Sequence, residues 1–557
     1  MTSPWLRHYD PGVPRTVELA PRSIPWLLEQ AAARAPAQTA LVFFGKTLTY
    51  GVLREQVLRV AQGLKDLGLR PGDRLAILLP NCPQLVVTYY AALHLGAIVV
   101  LMNPLFSPKE IGQQLVDSGA RFLVVLDHLL PKVDEIAADA KPEQVLVARL
   151  ADYLPWPLSW VYPLKARWQG LPCGFAARPG RSAWAPLLNA APLTESAQAE
   201  YHHTAILQYT GGTTGIPKAA ILSHANLMAN VDQINAWMPR VRYGAERVVG
   251  LLPFFHVFGL TVCLNWSISQ AAEVILVPRF EVKEFLHILK KHRPTILPGV
   301  PTLFVALINR PELGGIDLSS LWVCVSGSAP LPREVREKFE AISNCRIMEG
   351  YGLTEASPVT HFNPYEGRRP WGSIGLPFPN TDAKIMDDLT GTEEVPVGEV
   401  GELCIRGPQV MQGYWGRPDE TSLVLRDGWL YTGDLARMDE DGYFYIIDRK
   451  KDMIISAGFK IFPREVEEAL YQHPGVQEAV VYGVTDSYRG ELVKAVIVPR
   501  EGGNPTAEEI LEYCRARLAV YKIPKIIEFR RELPKSMVGK VLRRILREQD
   551  ENKQFQQ

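Results

Sequence analysis

Between Thr49 and Gly68 the apolar residues Leu53, Val57, Val60, Leu64 and Leu67 recur at the spacing that lays one stripe along a helix, and Gly68 stands where a C-terminal cap belongs. Runs that are apolar at every position alternate with such helices: Leu75 to Leu79, Ala97 to Met102, Phe122 to Leu126, Val274 to Val277 and Trp322 to Val325. A strand that is apolar on both sides must be covered on both sides. The pattern therefore predicts parallel sheets flanked by helices, an α/β fold of doubly wound sheets over the first two-thirds of the chain. Leu85 to Met102 approaches the length of a membrane span, but Thr88, Tyr89, Tyr90, His94 and Gly96 interrupt it. It is read as a buried helix, a turn at Gly96 and a strand.

After Pro379 the pattern changes to hairpins punctuated by glycine, such as Gly398 to Gly407, which predicts a β-rich subdomain over about 380–447. Asp448-Arg449-Lys450-Lys451-Asp452 is a charged, exposed-looking run between the strand Tyr443 to Ile447 and the apolar Met453-Ile454-Ile455. A hinge is placed at 448–452, with the N-terminal domain spanning 1–447. Beyond it, helices at Pro463 to Leu470 and Glu508 to Leu518 and strands at Val476 to Val484 and Leu492 to Val498 predict a small, mobile α+β domain over 453–557.

The 557 residues exceed what one ordinary core holds, in keeping with this division. Sixty basic residues balance sixty acidic ones, so no net field favours nucleic acid, which is not expected as a partner. The seven cysteines form neither a CxxC pair nor a Cys/His cluster, and Met1 to Pro14 lacks the apolar core of a secretory signal; the cytoplasm is the expected compartment. One stretch stands apart. Tyr153 to Trp168 is dense in Trp, Pro and Tyr, with Lys165 and Arg167 near its end. Aromatic residues beside cations suit peripheral contact with the inner face of a membrane. Packing of the tryptophans onto their own domain suits the composition equally.

Candidate chemistry begins at Tyr209-Thr210-Gly211-Gly212-Thr213-Thr214-Gly215-Ile216-Pro217-Lys218, after the apolar run Ala205-Ile206-Leu207. Glycines let backbone N–H groups approach phosphate oxygens, hydroxyls add donors, and Lys218 adds charge. The spacing is not that of a Walker A loop, because Lys218 follows Pro217 and precedes Ala219. Gly211 to Gly215 alone would serve as a surface turn as readily; ten specified positions in order favour a polyphosphate. Glu349-Gly350-Tyr351-Gly352-Leu353-Thr354-Glu355 has Glu355 where a dinucleotide fingerprint needs its third glycine. A tyrosine between glycines can lie on a purine, and a hydroxyl followed by a carboxylate offers hard ligands for Mg²⁺, although a buried turn would read the same. Asp434, in Tyr431-Thr432-Gly433-Asp434, can accept both hydroxyls of a ribose or be structural.

These segments together resemble the signatures of the adenylate-forming superfamily, closest to bacterial long-chain fatty acid CoA ligases. The resemblance runs from about Thr49 to Arg544. It implies that Thr210, Gly211, Gly212, Thr213, Thr214, Gly215 and Lys218 bind phosphates, that Gly327, Ser328, Ala329, Glu349, Gly350, Tyr351 and Gly352 form the adenosine pocket, that Thr354 is a further cofactor-binding residue, and that Thr214 and Glu355 hold Mg²⁺. It further implies ribose contacts from Asp434 and Arg449, a pivot at Asp448 and a pantetheine channel beside Gly458. In Leu533-Pro534-Lys535-Ser536-Met537-Val538-Gly539-Lys540, Lys540 matches the lysine that enters the site during adenylation, with Met537-Val538 standing where smaller or polar residues are usual. Without the resemblance this is a basic surface loop.

The substrate class is read from Leu251 to Leu260, which is apolar and aromatic around His256, with Phe258 and Leu260 placed to line a tunnel. Amino-acid-activating members of the superfamily carry an aspartate in this region. A carboxylic acid with a hydrocarbon body is expected, His256 being either a substrate neighbour or a satisfied core histidine. The implied reaction joins a long-chain fatty acid to coenzyme A with ATP and Mg²⁺ through an acyl-adenylate. Alternatives are transfer to a carrier protein, a shorter acid, or a nucleotide-regulated lipid-binding protein without catalysis. A homodimer is compatible with this reading.

Overall fold

A computed structural model describes residues 3–168, 170, 172, 174–194, 200–210, 217–457, 459–486, 489–500, 502–535 and 541–554, without the side chains of 165 and 551–554. The amphipathic stripe forms the helix Tyr50–Asp66. Its first turn is capped by the Thr49 hydroxyl, which accepts from the Val52 N–H at 3.3 Å. Gly68 follows at φ +95°, a conformation that strains a residue with a Cβ. The long apolar stretch divides into the helix Pro83–His94, buried on every side, and the fully buried strand Ile98–Leu101. Among the described residues no helix is long and apolar enough to cross a membrane.

Two large sheets build the N-terminal part. The seven-stranded sheet runs in the order Arg181–Ala183, Gln144–Ala148, Phe122–Leu126, Arg74–Leu78, Ile98–Leu101, Thr204–Thr210, Lys218–Ser223, all parallel except the last. The nine-stranded sheet has a parallel centre that includes Arg247–Gly250, Ile296–Gly299, Val323–Ser326 and Arg346–Gly352. Antiparallel strands close both of its ends. Central strands such as Phe122–Leu126 are buried at every position, as coverage on both faces requires. Asn81 ties the sheets together. Its side-chain amide donates to the Gly250 and Leu252 carbonyls at 2.9 Å and accepts from the Phe254 N–H at 2.8 Å.

An antiparallel five-stranded sheet, Asp382–Met386, Gly401–Arg406, Leu425–Arg426, Trp429–Met438 and Phe444–Arg449, forms the β-rich part. A second five-stranded sheet with the helices Pro463–Tyr471 and Ala507–Arg515 forms the C-terminal α+β part around separate cores. The charged run at 448–452 differs from its sequence reading. The strand Phe444–Arg449 continues through Asp448, which is buried rather than exposed. Its carboxylate accepts from the Arg449 and Arg464 N–H groups at 2.7 and 2.8 Å and lies 3.9 Å from Arg543, which makes burial tolerable.

Candidate active site

The segment expected to bind phosphates connects the two strands of a hairpin. Strands Thr204–Thr210 and Lys218–Ser223 pair antiparallel, and Thr210 lies opposite Lys218 as the last registered pair. Gly211, Gly212, Thr213, Thr214 and Gly215 lie outside the described residues, so the hairpin fixes where their loop starts and ends. The Lys218 ammonium is paired with Glu420 and lies 5.4 Å from the centre of the Tyr414 ring. Tyr414 in turn donates its hydroxyl to Glu355 Oε1 at 2.8 Å. Lys218 and Glu355, 137 positions apart in the chain, therefore meet through one tyrosine. A backbone bridge between Ala220 and Tyr414 and the Met411 N–H bonded to the Glu355 carbonyl at 2.8 Å hold that tyrosine in place.

The residues expected to take the nucleoside stand on two adjacent parallel strands whose carboxyl ends carry the loops. Val323–Ser326 leads into Gly327, Ser328 and Ala329, with Ser328 at φ +69°. Arg346–Gly352 contributes Glu349, Gly350, Tyr351 and Gly352, and Thr354 opens the short turn that carries Glu355. Glu349 is an internal tie. It accepts from the Leu331 N–H at 3.3 Å beside Arg336 at 3.8 Å, and burial raises its pKa. At Gly350 a Cβ would lie 2.3 Å from the Phe362 ring, and at Gly352 one would lie 2.1 Å from the Pro358 carbonyl oxygen, so close packing requires both glycines. The Tyr351 hydroxyl donates to Asp434 Oδ2 at 2.6 Å, and Arg449 Nε lies 3.1 Å from Asp434 Oδ1. Burial, reinforced by the Asp434 charge, raises the Tyr351 pKa and keeps the phenol protonated. Three residues from three separate motifs thus form one polar cluster.

A cleft opens against these loops. Gly327, Ser328 and Tyr351 line one part of it, and Trp237, Phe258 and Trp266 line another. Among the described residues that line it, none is charged. Phe258 joins the two parts, since a Cβ at Gly327 would lie 3.1 Å from its ring. Leu260 is buried in the core and does not line the cleft; the irregular helix Gly259–Asn265 turns it inward. His256 is half-buried, is likewise not among the lining residues, and is held by burial at a pKa of about 4, hence neutral at pH 7. Its loop is tied to the hairpin of Thr204–Thr210 and Lys218–Ser223 by the Gln208 amide, which donates to the Phe255 carbonyl at 2.7 Å.

Gly458 and Lys540 lie outside the described residues. Their flanks place them on the C-terminal part, Gly458 between the paired strands Ile454–Ser456 and Phe459–Ile461, and Lys540 just before the helix Arg543–Gln554. Among the described residues no cluster of three metal-ligating side chains occurs. Glu355 nonetheless suits Mg²⁺, a hard ion bound by one or two carboxylates together with the phosphates of its nucleotide. Sequence reasoning missed Tyr414, Glu420, Trp237 and Trp266. None stands in a recognisable motif, and each enters through a contact distant in the chain.

The family profile described as AMP-binding enzyme matches residues 28–415, and that described as AMP-binding enzyme C-terminal domain matches residues 465–540. The chain is 48% identical over 553 residues to a long-chain-fatty-acid--CoA ligase of Bacillus subtilis (strain 168), covering 99% of this chain and 98% of the relative. It is 39% identical over 561 residues to the protein of that name from Escherichia coli O6:H1, covering 99% of each. Among solved structures, ATP-bound MatB from Rhodopseudomonas palustris superposes with a TM-score of 0.83 at 29% identity, covering 95% of this chain and 99% of that one.

Proposed function

Because the chain belongs to the AMP-binding enzyme family and is an acyl-adenylate-forming ligase that binds ATP, we propose that it activates a long-chain fatty acid and passes the acyl group to coenzyme A. The observation that carries the acid's identity is the uncharged cleft, whose apolar wall of Trp237, Phe258 and Trp266 continues into the nucleoside loops at Gly327 and Tyr351. Such a wall accepts a hydrocarbon body and offers no partner to an amino group.

A carboxylate is a poor electrophile, since its charge repels nucleophiles and its leaving group would be oxide. In the proposed reaction a carboxylate oxygen attacks the α-phosphorus of ATP, pyrophosphate leaves, and the acyl-adenylate forms. The thiol of coenzyme A then attacks the acyl carbon, AMP departs, and the thiol proton is lost. The protein's part is positioning and charge stabilisation. We assign Thr210 to Gly215 and Lys218 to the phosphates. Lys218, with three N–H donors, would take a phosphate by leaving Glu420 or by sharing itself between the two. Asp434, braced by Tyr351 and Arg449, would accept the ribose hydroxyls, and Gly350 and Gly352 would let the backbone approach the base. Mg²⁺ would be held by Glu355 and Thr214, where it would offset the charge of the leaving pyrophosphate. Lys540 would add positive charge during adenylation.

Chain-length preference tests this reading. Each methylene taken into the cleft contributes ~0.8 kcal/mol until the cleft is filled, so kcat/KM should climb from short to long acids and then level off. A kcat/KM for acetate or benzoate above that for palmitate would contradict it.

A further inference from the structure

We infer that the helix Leu158–Trp168 is a docking element for the surface of an anionic lipid bilayer. The helix is apolar on the wrong side for a soluble protein. Ser159, Tyr162, Pro163 and Ala166, at helical spacing, face inward; Ala166 is buried and Tyr162 packs against the N-terminal core. The outward stripe is Trp160, Leu164 and Trp168, at intervals of four, with relative exposures of 78%, 67% and 89%. Trp156, just before the helix, is 82% exposed. The tryptophans therefore do not pack onto their own domain.

The mounting is firm. Tyr153 and Leu154, at the root of the segment, are buried, and the Tyr153 hydroxyl donates to Gln56 Oε1 at 2.7 Å. A fixed helix that presents indole rings to solvent meets the requirement of the membrane interface, where an amphipathic ring sits at headgroup level. Charge points the same way. From Tyr153 to Thr194 the sequence contains no acidic residue, and the helix itself carries Lys165 and Arg167. Arg178 and Arg181 share the one carboxylate of Asp134, and Arg167 on the helix is exposed, where it would attract anionic headgroups.

Topology sets this surface on the side of the active site. Gln144–Ala148, which precedes the helix, and Thr204–Thr210, which ends at the phosphate hairpin, point the same way in the seven-stranded sheet through an unbroken series of parallel pairings. The helix and Thr210 thus follow the carboxyl edge of one sheet.

Flotation of the full-length protein with vesicles, in the absence of ATP and acid, tests the assignment without reference to the reaction. The parent should float with vesicles of phosphatidylglycerol and phosphatidylcholine, and less with phosphatidylcholine alone or at high salt. The triple variant Trp156→Ser, Trp160→Ser, Trp168→Ser should lower the bound fraction by roughly tenfold or more. Leu164→Glu alone should weaken flotation in the same direction. Both variants should keep the parent's melting temperature and its activity on detergent-dispersed acid. Failure of the parent to float, or equal flotation of parent and both variants, would overturn the inference. So would variants that change self-association in sedimentation while floating normally, since the stripe would then be an interface between copies of the chain.

Discussion

Lys218 and Glu420 form the most consequential pair at the site, because the ammonium proposed to meet a phosphate is already engaged. Lys218→Ala should lower the rate of adenylation by roughly 10² to 10³, the scale for one aimed stabilising group. Glu420→Gln should act in the opposite direction on binding. With the competing carboxylate gone, the KM for ATP should fall by up to about fivefold, the scale of an exposed ion pair, as steady-state kinetics at saturating acid would show. A rise in that KM would mean that Glu420 positions Lys218 instead. His256 gives a pH prediction. Burial lowers its pKa from 6.5 to about 4, so its neutral form contributes stability that is full above about pH 6.5 and is lost as pH falls towards 4. His256→Gln should flatten the acid-side fall of the urea midpoint and leave the shape of the kcat/KM profile between pH 5 and 8 unchanged.

At the scale of elements, the hinge is held by a network that joins it to the segment after Lys540. Arg543, at the start of the last helix, lies 2.7 Å from Glu467, 3.3 Å from Asp452 and 3.9 Å from Asp448. Glu467 is largely buried in the helix Pro463–Tyr471, and burial raises its pKa against the opposing pull of Arg543. Removing one member leaves a carboxylate without its cation, so Arg543→Ala should cost about 3 kcal/mol. Arg543→Met combined with Glu467→Leu should recover part of that loss. Urea denaturation of the three proteins checks this; a single variant within about 0.5 kcal/mol of the parent would mean that the network bears little load.

Elements were legible wherever the pattern was local. The stripe of Tyr50–Asp66 and the wholly apolar strands appear in the fold with boundaries shifted by a residue or two. Burial of Asp448 was not legible, because its partners Arg464 and Arg543 lie 16 and 95 positions away. The same holds for Tyr414 and Glu420, brought to Lys218 by the bridge at Ala220. Leu260 illustrates another limit. Its neighbour Phe258 lines the cleft while Leu260 turns into the core, and apolarity alone does not distinguish the two surroundings. The spacing of Trp160, Leu164 and Trp168 likewise fixes a stripe but not whether it faces inward or outward.

At the scale of the molecule, the proposed reaction asks one site to serve attack on the α-phosphorus and then attack of a thiol on the acyl carbon. The C-terminal part carries Gly458 near its start and Lys540 near its end, and rotation about Asp448 would present one and then the other. Lys540→Ala should slow adenylation by roughly 10² to 10³ while sparing conversion of pre-made acyl-adenylate, and acetylation of Lys540 should act similarly by removing its charge. Gly458→Leu should do the reverse, by obstructing the thiol arm. Equal slowing of both steps by each variant would exclude the two-face account. The central claim, activation of a long-chain acid through an adenylate and transfer to coenzyme A, is tested most directly by mass spectrometry of one incubation with ATP, Mg²⁺, palmitate and coenzyme A. Palmitoyl-CoA, AMP and pyrophosphate should appear in equal amounts, and palmitoyl-adenylate should accumulate when coenzyme A is omitted. Formation of ADP and phosphate, or the absence of both adenylate and thioester, would contradict it.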